Sequence, residues 1–138
     1  MAGSKERTSI RDGRAEIQHL SQDLIAVSER NEEKCCVKLT GRITIDSSPD
    51  LRLFLLRKLG SVACPVFEVD LGEVTYMDTS GLAVLVEFLK AARQSSRRFQ
   101  LSGLREGPRY LLEATRVLHL FEEVESSCRP EMRNHEVR

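Results

Sequence analysis

The sequence lacks a net charge. Its 21 lysine and arginine residues balance 21 aspartate and glutamate residues, which leaves a formal net charge of +0 at pH 7. A surface that holds a phosphate backbone or an anionic membrane needs a positive field. We therefore expect neither nucleic acid nor a membrane surface among its partners.

Long apolar runs are also missing. The wholly apolar runs are only a few residues long, whereas a membrane-spanning helix needs about 20. Polar residues, Ser4, Lys5, Glu6 and Arg7, stand where a secretory signal would need an apolar core. The sequence predicts no direct insertion into a membrane and a cytoplasmic location.

Cysteine and histidine are few and scattered. The four cysteines have no Cys-x-x-Cys spacing, and two are adjacent in a strand-like segment, where successive side chains point to opposite faces. They are Cys35, Cys36, Cys64 and Cys128. This pattern predicts neither a metal site nor a disulfide framework. No nucleophile, base and orienting group can be nominated together, so we expect no cofactor and no enzymatic activity.

The composition is that of one globular domain. The chain has 138 residues, of which 41% are apolar and 30% charged, enough to bury a single core. Both ends are polar, which predicts a flexible leader over residues 1–14, a domain over 15–125 and a flexible tail over 126–138.

Periodicity predicts alternating strands and helices. Apolar strand-like segments at 24–27 and 35–40 are separated by a polar loop of hairpin length. A helix is predicted to start with Ser48 as cap and Pro49 in first position, and to end before Gly60. A central strand is predicted over 66–71 with a bend at Gly72. The pattern continues with a strand at 99–102 and a helix that opens with Pro108 in its first turn. An α/β fold with helices on a mixed sheet is therefore expected.

A polar tetrad stands at a predicted strand-to-helix junction. Asp78, Thr79, Ser80 and Gly81 precede an apolar stripe of three- and four-residue spacing. Asp78 is predicted to cap this helix, which leaves the Thr79 hydroxyl accessible on the first turn. A phosphate there would add about −1.5 to −2 charges and repel an acidic or apolar partner. The alternative is that the three polar residues only cap the helix, and that Gly81 lets it approach the sheet.

Two motifs stand out in the sequence, Leu39-Thr40-Gly41-Arg42-Ile43 and Val74-Thr75-Tyr76-Met77-Asp78-Thr79-Ser80-Gly81-Leu82. In this order they resemble the motifs of the STAS family of anti-sigma factor antagonists. The resemblance implies a single STAS-like domain with helices on one face of a mixed β-sheet, and no catalytic activity. It also implies a partner that is an anti-sigma factor of the histidine-kinase-like ATPase type, and phosphorylation at Thr79.

Two positions depart from the family pattern. Thr44 stands where kinase-regulated antagonists commonly carry aspartate, and Ala83 where they often carry glycine. Threonine at 79 also occurs in relatives that serve as subunits of lipid-transporting ABC systems. The sequence thus predicts a partner-switching regulator, with an unphosphorylated subunit bound to an ABC transporter ATPase as the alternative. Ser80 is a secondary phosphorylation candidate, and the predicted partner-binding residues are Asp78, Thr79, Ser80, Gly81, Thr44, Glu87 and Lys90.

Overall fold

A computed structural model describes residues 7–9, as backbone only, and residues 15–128. These residues form a seven-stranded sheet and three α-helices. In chain order the elements are β1 (Arg7–Ser9), β2 (Ala15–Ser21), β3 (Leu24–Arg30), β4 (Lys34–Ile43), α1 (Ser48–Ser61), β5 (Val66–Met77), α2 (Thr79–Gln94), β6 (Arg98–Ser102), α3 (Glu106–Ala114), a 3₁₀ helix (Leu118–Leu120) and β7 (Glu122–Val124).

The sheet is mixed, and its strands lie side by side in sequence order. Neighbours from β1 to β4 are antiparallel, and neighbours from β4 to β7 are parallel. Each parallel connection crosses in the same direction along the sheet. Since such crossovers are right-handed, α1, α2 and α3 lie on the same face. This confirms the predicted α/β fold with a mixed sheet and helices on one face. In the described part of the chain, no helix is both long and apolar enough to cross a membrane.

The core lies between the helices and one face of the sheet. Strand β5 turns Phe67, Val69 and Leu71 toward the helices, and all three are fully buried. Phe67 meets Phe88 of α2 edge-on at 5.7 Å between ring centroids, and the aromatic contacts continue through β6 to the start of β7. Burial of each such side chain stabilises the fold by about 1.5–3 kcal/mol.

The start of α1 differs from the prediction by one residue. Ser47 is at the cap position and Ser48 is already helical, so Pro49 is the second helical residue. The Ser47 hydroxyl does not cap the helix. It donates to the Arg42 carbonyl and accepts from the Thr44 backbone N–H at 3.0 Å. The hydroxyl therefore closes the loop after β4.

Two glycines predicted to interrupt elements lie inside them. Gly60 is in the last turn of α1, which continues to Ser61. Gly72 lies within β5, which runs on to Met77. The pairing of β4 with β5 shifts register near this point, between the pairs Lys38↔Asp70 and Thr40↔Glu73. The extra residue in β5 forms a β-bulge at the position where the sequence predicted a bend, and the strand continues beyond it.

Both chain ends are more ordered than predicted where the structure describes them. Arg7–Ser9, inside the expected leader, pairs antiparallel with β2. Residues 126–128, inside the expected tail, contact the sheet, and Cys128 forms a disulfide with Cys36. The prediction of no disulfide framework is therefore wrong, because the partners are 92 positions apart in the sequence and only the fold brings them together. The remainder of the leader and tail lies outside the described residues.

Candidate functional site

Asp78 joins β5 to α2 and caps the helix, as predicted. Its backbone is extended, and its Oδ1 accepts a 2.9 Å hydrogen bond from the Ser80 backbone N–H. This bond satisfies one of the donors that a helix start leaves unpaired. Asp78 thereby fixes where α2 begins.

The same carboxylate binds the neighbouring loop. Its Oδ2 accepts a 3.2 Å hydrogen bond from the Ile45 backbone N–H, in the loop after β4. Partial burial raises the pKa of Asp78, but hydrogen bonds from the Ser80 hydroxyl and from three backbone N–H groups outweigh it and hold the pKa below its usual value. Asp78 is therefore negatively charged at neutral pH.

The two hydroxyls that follow Asp78 differ in their availability. Ser80 is partly buried, and its hydroxyl donates to Oδ1 of Asp78 at 2.5 Å. Thr79 is exposed, and its hydroxyl makes no hydrogen bond with any residue of 7–9 or 15–128. Of these two predicted phosphorylation sites, Thr79 presents the accessible oxygen.

Thr44 lies in the loop that Asp78 holds. It is partly buried, and its hydroxyl accepts a 3.1 Å hydrogen bond from the Asp46 backbone N–H within the same turn. The next residue is Ile45, which donates to Asp78. The structure thus brings Thr44 close to the start of α2, as the family pattern implies, although the two residues Thr44 and Asp78 are 34 positions apart in the sequence.

Gly81 is buried in the first turn of α2. A Cβ at this position would lie 2.6 Å from Cγ2 of Ile43 and 2.8 Å from Cγ of Met77. The lack of a side chain lets the helix start close to the ends of β4 and β5, which was the alternative role considered from the sequence. Gly81 was predicted to bind a partner, but because it is buried its role at this site is packing. A partner would contact the exposed residues around it.

The exposed side of α2 carries the remaining predicted residues. Thr79, Glu87 and Lys90 recur at helical spacing together with Ala83, so that they form one stripe. Thr79, Ala83 and Lys90 are exposed and Glu87 is partly buried. Glu87 accepts a 2.8 Å hydrogen bond from Nε of Arg52 on α1, and this bond lowers the pKa of Glu87. Glu87 therefore also bridges the two helices.

Sequence reasoning missed Ile45 as a site residue. Its side chain is 72% exposed, the largest fraction among the exposed large apolar residues of the described chain. It lies beside Asp78, through the backbone hydrogen bond described above. One signal was available, namely a large apolar residue between the polar residues Thr44 and Asp46 in a loop. A single exposed apolar side chain is common on protein surfaces, and Ile45 belongs to this site through its hydrogen bond to Asp78.

A sequence model of the family described as "Mlab, STAS domain" matches residues 26–122. This chain belongs to the STAS domain family. The matched residues run from β3 to the first residue of β7, and they include the whole site around Asp78. The resemblance stated from the two motifs is thereby confirmed.

Solved structures share the STAS fold with this chain. An anti-sigma factor antagonist from Mycobacterium paratuberculosis aligns with a TM-score of 0.68 and 16% identity, over 75% of this chain and 87% of that one. The anti-sigma factor antagonist SpoIIAA in its unphosphorylated form aligns with a TM-score of 0.59 and 14% identity, over 82% and 97%. The Bacillus cell fate determinant SpoIIAA in the phosphorylated form aligns with a TM-score of 0.58 and 14% identity, over 82% and 99%.

Proposed function

We propose that this STAS protein is a non-enzymatic anti-sigma factor antagonist that switches partners through phosphorylation of Thr79. In this proposal the unphosphorylated protein binds an anti-sigma factor of the histidine-kinase-like ATPase type and so frees a sigma factor. The partner supplies the catalysis and transfers a phosphoryl group to the Thr79 hydroxyl. The observation that carries the proposal is the exposed hydroxyl of Thr79 on the first turn of α2, which has no hydrogen-bond partner among residues 15–128.

The charges around Thr79 support a switch. A phosphate on Thr79 would add about −1.5 to −2 charges at neutral pH. It would stand next to the ionised Asp78 and close to the exposed side chain of Ile45. A partner that buries Ile45 would have to bury these charges as well, which costs free energy unless they are paired. Phosphorylation should therefore weaken the complex.

The solved neighbours are consistent with this reading. The structures described above include an anti-sigma factor antagonist in both an unphosphorylated and a phosphorylated form. A protein of this fold can therefore carry a phosphate and keep its architecture.

Variants of Thr79 test the proposal directly. We expect Thr79→Glu to weaken binding to the anti-sigma factor by about tenfold or more, and Thr79→Ala to leave it near wild type. Gln94→Glu is the matched control, because it adds one negative charge at the other end of α2 without a change of shape. Calorimetric titration with the purified partner gives the affinities. Equal affinities for the Glu and Ala variants of Thr79 would contradict the switch.

A second function is favoured by position 44. Thr44 has a hydroxyl where kinase-regulated relatives carry a carboxylate. The lack of this carboxylate favours a STAS subunit that binds the ATPase of a lipid-transporting ABC system. Thr79 would then make a fixed contact and carry no phosphate. Affinity purification from the native cell, with intact-mass measurement of the bait, separates the two functions. A transporter ATPase with unmodified bait supports the subunit, and a histidine-kinase-like ATPase with phosphorylated bait supports the switch.

A further inference from the structure

The sheet has a second face, turned away from the helices, and it carries buried polar groups. Because side chains alternate along a strand, Cys36 of β4, Glu68 and Asp70 of β5 and Ser102 of β6 point to this side. All four residues are buried, and Glu68 has no exposed surface. A buried carboxylate is costly unless it is fully hydrogen-bonded. Something must therefore cover this face and supply donors.

Residues 126–128 cover it, and we call them the C-terminal strap. Ser127 donates to Glu68 through its backbone N–H at 3.1 Å and also through its hydroxyl. The Ser126 hydroxyl donates to Asp70 at 2.7 Å. The strap ends at Cys128, which forms the disulfide with Cys36. Three successive residues are thus attached to the same face by three different side chains of the sheet.

The other two cysteines are held apart from this pair. Cys35 neighbours Cys36 but points into the core on the helix side, where burial raises the pKa of its thiol to about 11. The Cys64 thiol donates to the Asn31 carbonyl at 3.1 Å. Cys35 therefore lies on the opposite face of β4 from Cys36, and Cys64 is engaged with Asn31. Of the four cysteines, the fold brings Cys36 and Cys128 into a disulfide and leaves Cys35 and Cys64 free.

The same place contains a potential metal-ligand set, which the geometry disfavours. The ligand atoms of Cys36, Glu68 and Cys128 lie within 4.8 Å of one another. However, Glu68 already accepts hydrogen bonds from Ser102 and Ser127, and its Oε1 lies 3.1 Å from the Lys34 ammonium. A cation would have to displace these donors and stand beside a positive charge. The arrangement favours a dithiol and disulfide pair.

We propose that Cys36 and Cys128 are a reversible redox modification site that fastens the strap to the sheet. The oxidant is a low-molecular-weight disulfide such as oxidised glutathione. The thiolate of one cysteine attacks the oxidant, which forms a mixed disulfide and releases one small thiol. The thiolate of the other cysteine then displaces the second small thiol. The protein loses two electrons and two protons, and the oxidant gains them as two thiols.

Reduction would change what this face presents. Without the covalent bond, the strap is attached only by hydrogen bonds, and its release removes the two donors of Ser127 from Glu68. The carboxylate and its partner Lys34 would then face the surroundings. This device is separate from the proposed phosphorylation switch, because neither Asp78 nor Thr79 takes part in it.

The site can be tested on the full chain by equilibrating the protein in buffers that differ in the ratio of reduced to oxidised glutathione. We expect one transition in which the protein becomes about 2 Da lighter on oxidation, since two hydrogens leave. In hydrogen exchange, the Ser127 amide should be protected in the oxidised form only. The melting temperature should fall on reduction by about 10 °C, because the disulfide closes a long loop.

Two variants separate the pair from the other thiols. Cys128→Ser should behave like the reduced protein at every buffer ratio. Cys64→Ser should titrate like wild type, since a serine hydroxyl keeps the donor to Asn31. Equal protection of the Ser127 amide in both redox forms would overturn the proposal. So would disulfides that include Cys35 or Cys64, or a reduced protein that retains one equivalent of added Zn²⁺ and resists oxidation.

Discussion

The Ile45 backbone N–H donates a 3.2 Å hydrogen bond to Oδ2 of Asp78, across 33 positions of sequence. The other oxygen of the same carboxylate accepts from Ser80 and caps α2. One side chain thus sets both the start of the helix and the position of the loop that carries Thr44 and Ile45.

Replacement of Asp78 should destabilise the fold. We expect Asp78→Ala to lower the free energy of unfolding by about 1 kcal/mol, since a helix cap is lost. Asp78→Asn keeps an acceptor oxygen and should lose less. Urea denaturation measures both changes. An Ala variant with the wild-type midpoint would show that the carboxylate does not stabilise this junction.

Gly81 should tolerate a methyl group poorly. We expect Gly81→Ala to lower the free energy of unfolding by about 1–3 kcal/mol, because the new Cβ would overlap Ile43 and Met77. Gly60→Ala is the matched control. No atom lies within 4 Å of a Cβ at Gly60, so alanine in this last helical turn should stabilise by up to about 1 kcal/mol. Thermal unfolding compares the two, and a shift in the same direction for both would contradict the packing argument.

The ionisation of Glu68 should make the free energy of unfolding depend on pH in the acid range. Burial raises its pKa, but hydrogen bonds from two serines and Lys34 outweigh burial and leave the pKa below the ordinary value of 4.5. A carboxyl whose folded pKa is lowered stabilises the fold above its unfolded pKa, and this contribution disappears as pH falls through the folded pKa.

We therefore expect Glu68→Gln to be less stable than wild type at pH 7, and this difference to shrink below about pH 4. Urea denaturation at a series of pH values, with the disulfide intact, measures the difference. Glu32→Gln, at an exposed loop position, is the control and should change little at either pH. A difference for Glu68→Gln that stays constant down to pH 3 would argue against the lowered pKa.

Ile45 should contribute to partner binding more than to stability. Ile45 is 72% exposed beside Asp78, and Tyr110, on the different element α3, is 71% exposed. We expect Ile45→Ala to weaken binding of the proposed anti-sigma factor by about tenfold, as buried interface anchors do, and Tyr110→Ala to leave it unchanged. Surface plasmon resonance gives both affinities. If Tyr110→Ala weakens binding and Ile45→Ala does not, the partner contacts a different surface.

The sequence predicted most elements because their signals are local. Strand β5 was predicted from an apolar run with little polar surface, and its first half is buried on both faces. Helix α2 has a periodic apolar stripe, of which Leu82, Leu85, Leu89 and Ala92 are buried. Strand β2 was missed because only Ala15 and Leu20 of its seven residues are buried, so that its apolar alternation is weak. A strand near the edge of a sheet is specified by pairing with its neighbours more than by its own composition.

The sequence by itself determined the cap at Asp78, the exposed position of Thr79 and the apolar stripe of α2. These depend on residues two to four positions apart, whose geometry a helix start fixes. Only the tertiary structure decided that Asp78 holds Ile45, that Ser80 gives its hydroxyl to Asp78, and that Cys36 meets Cys128 across 92 positions. Contacts between distant segments depend on strand register and on the path of the connections, which no local pattern specifies.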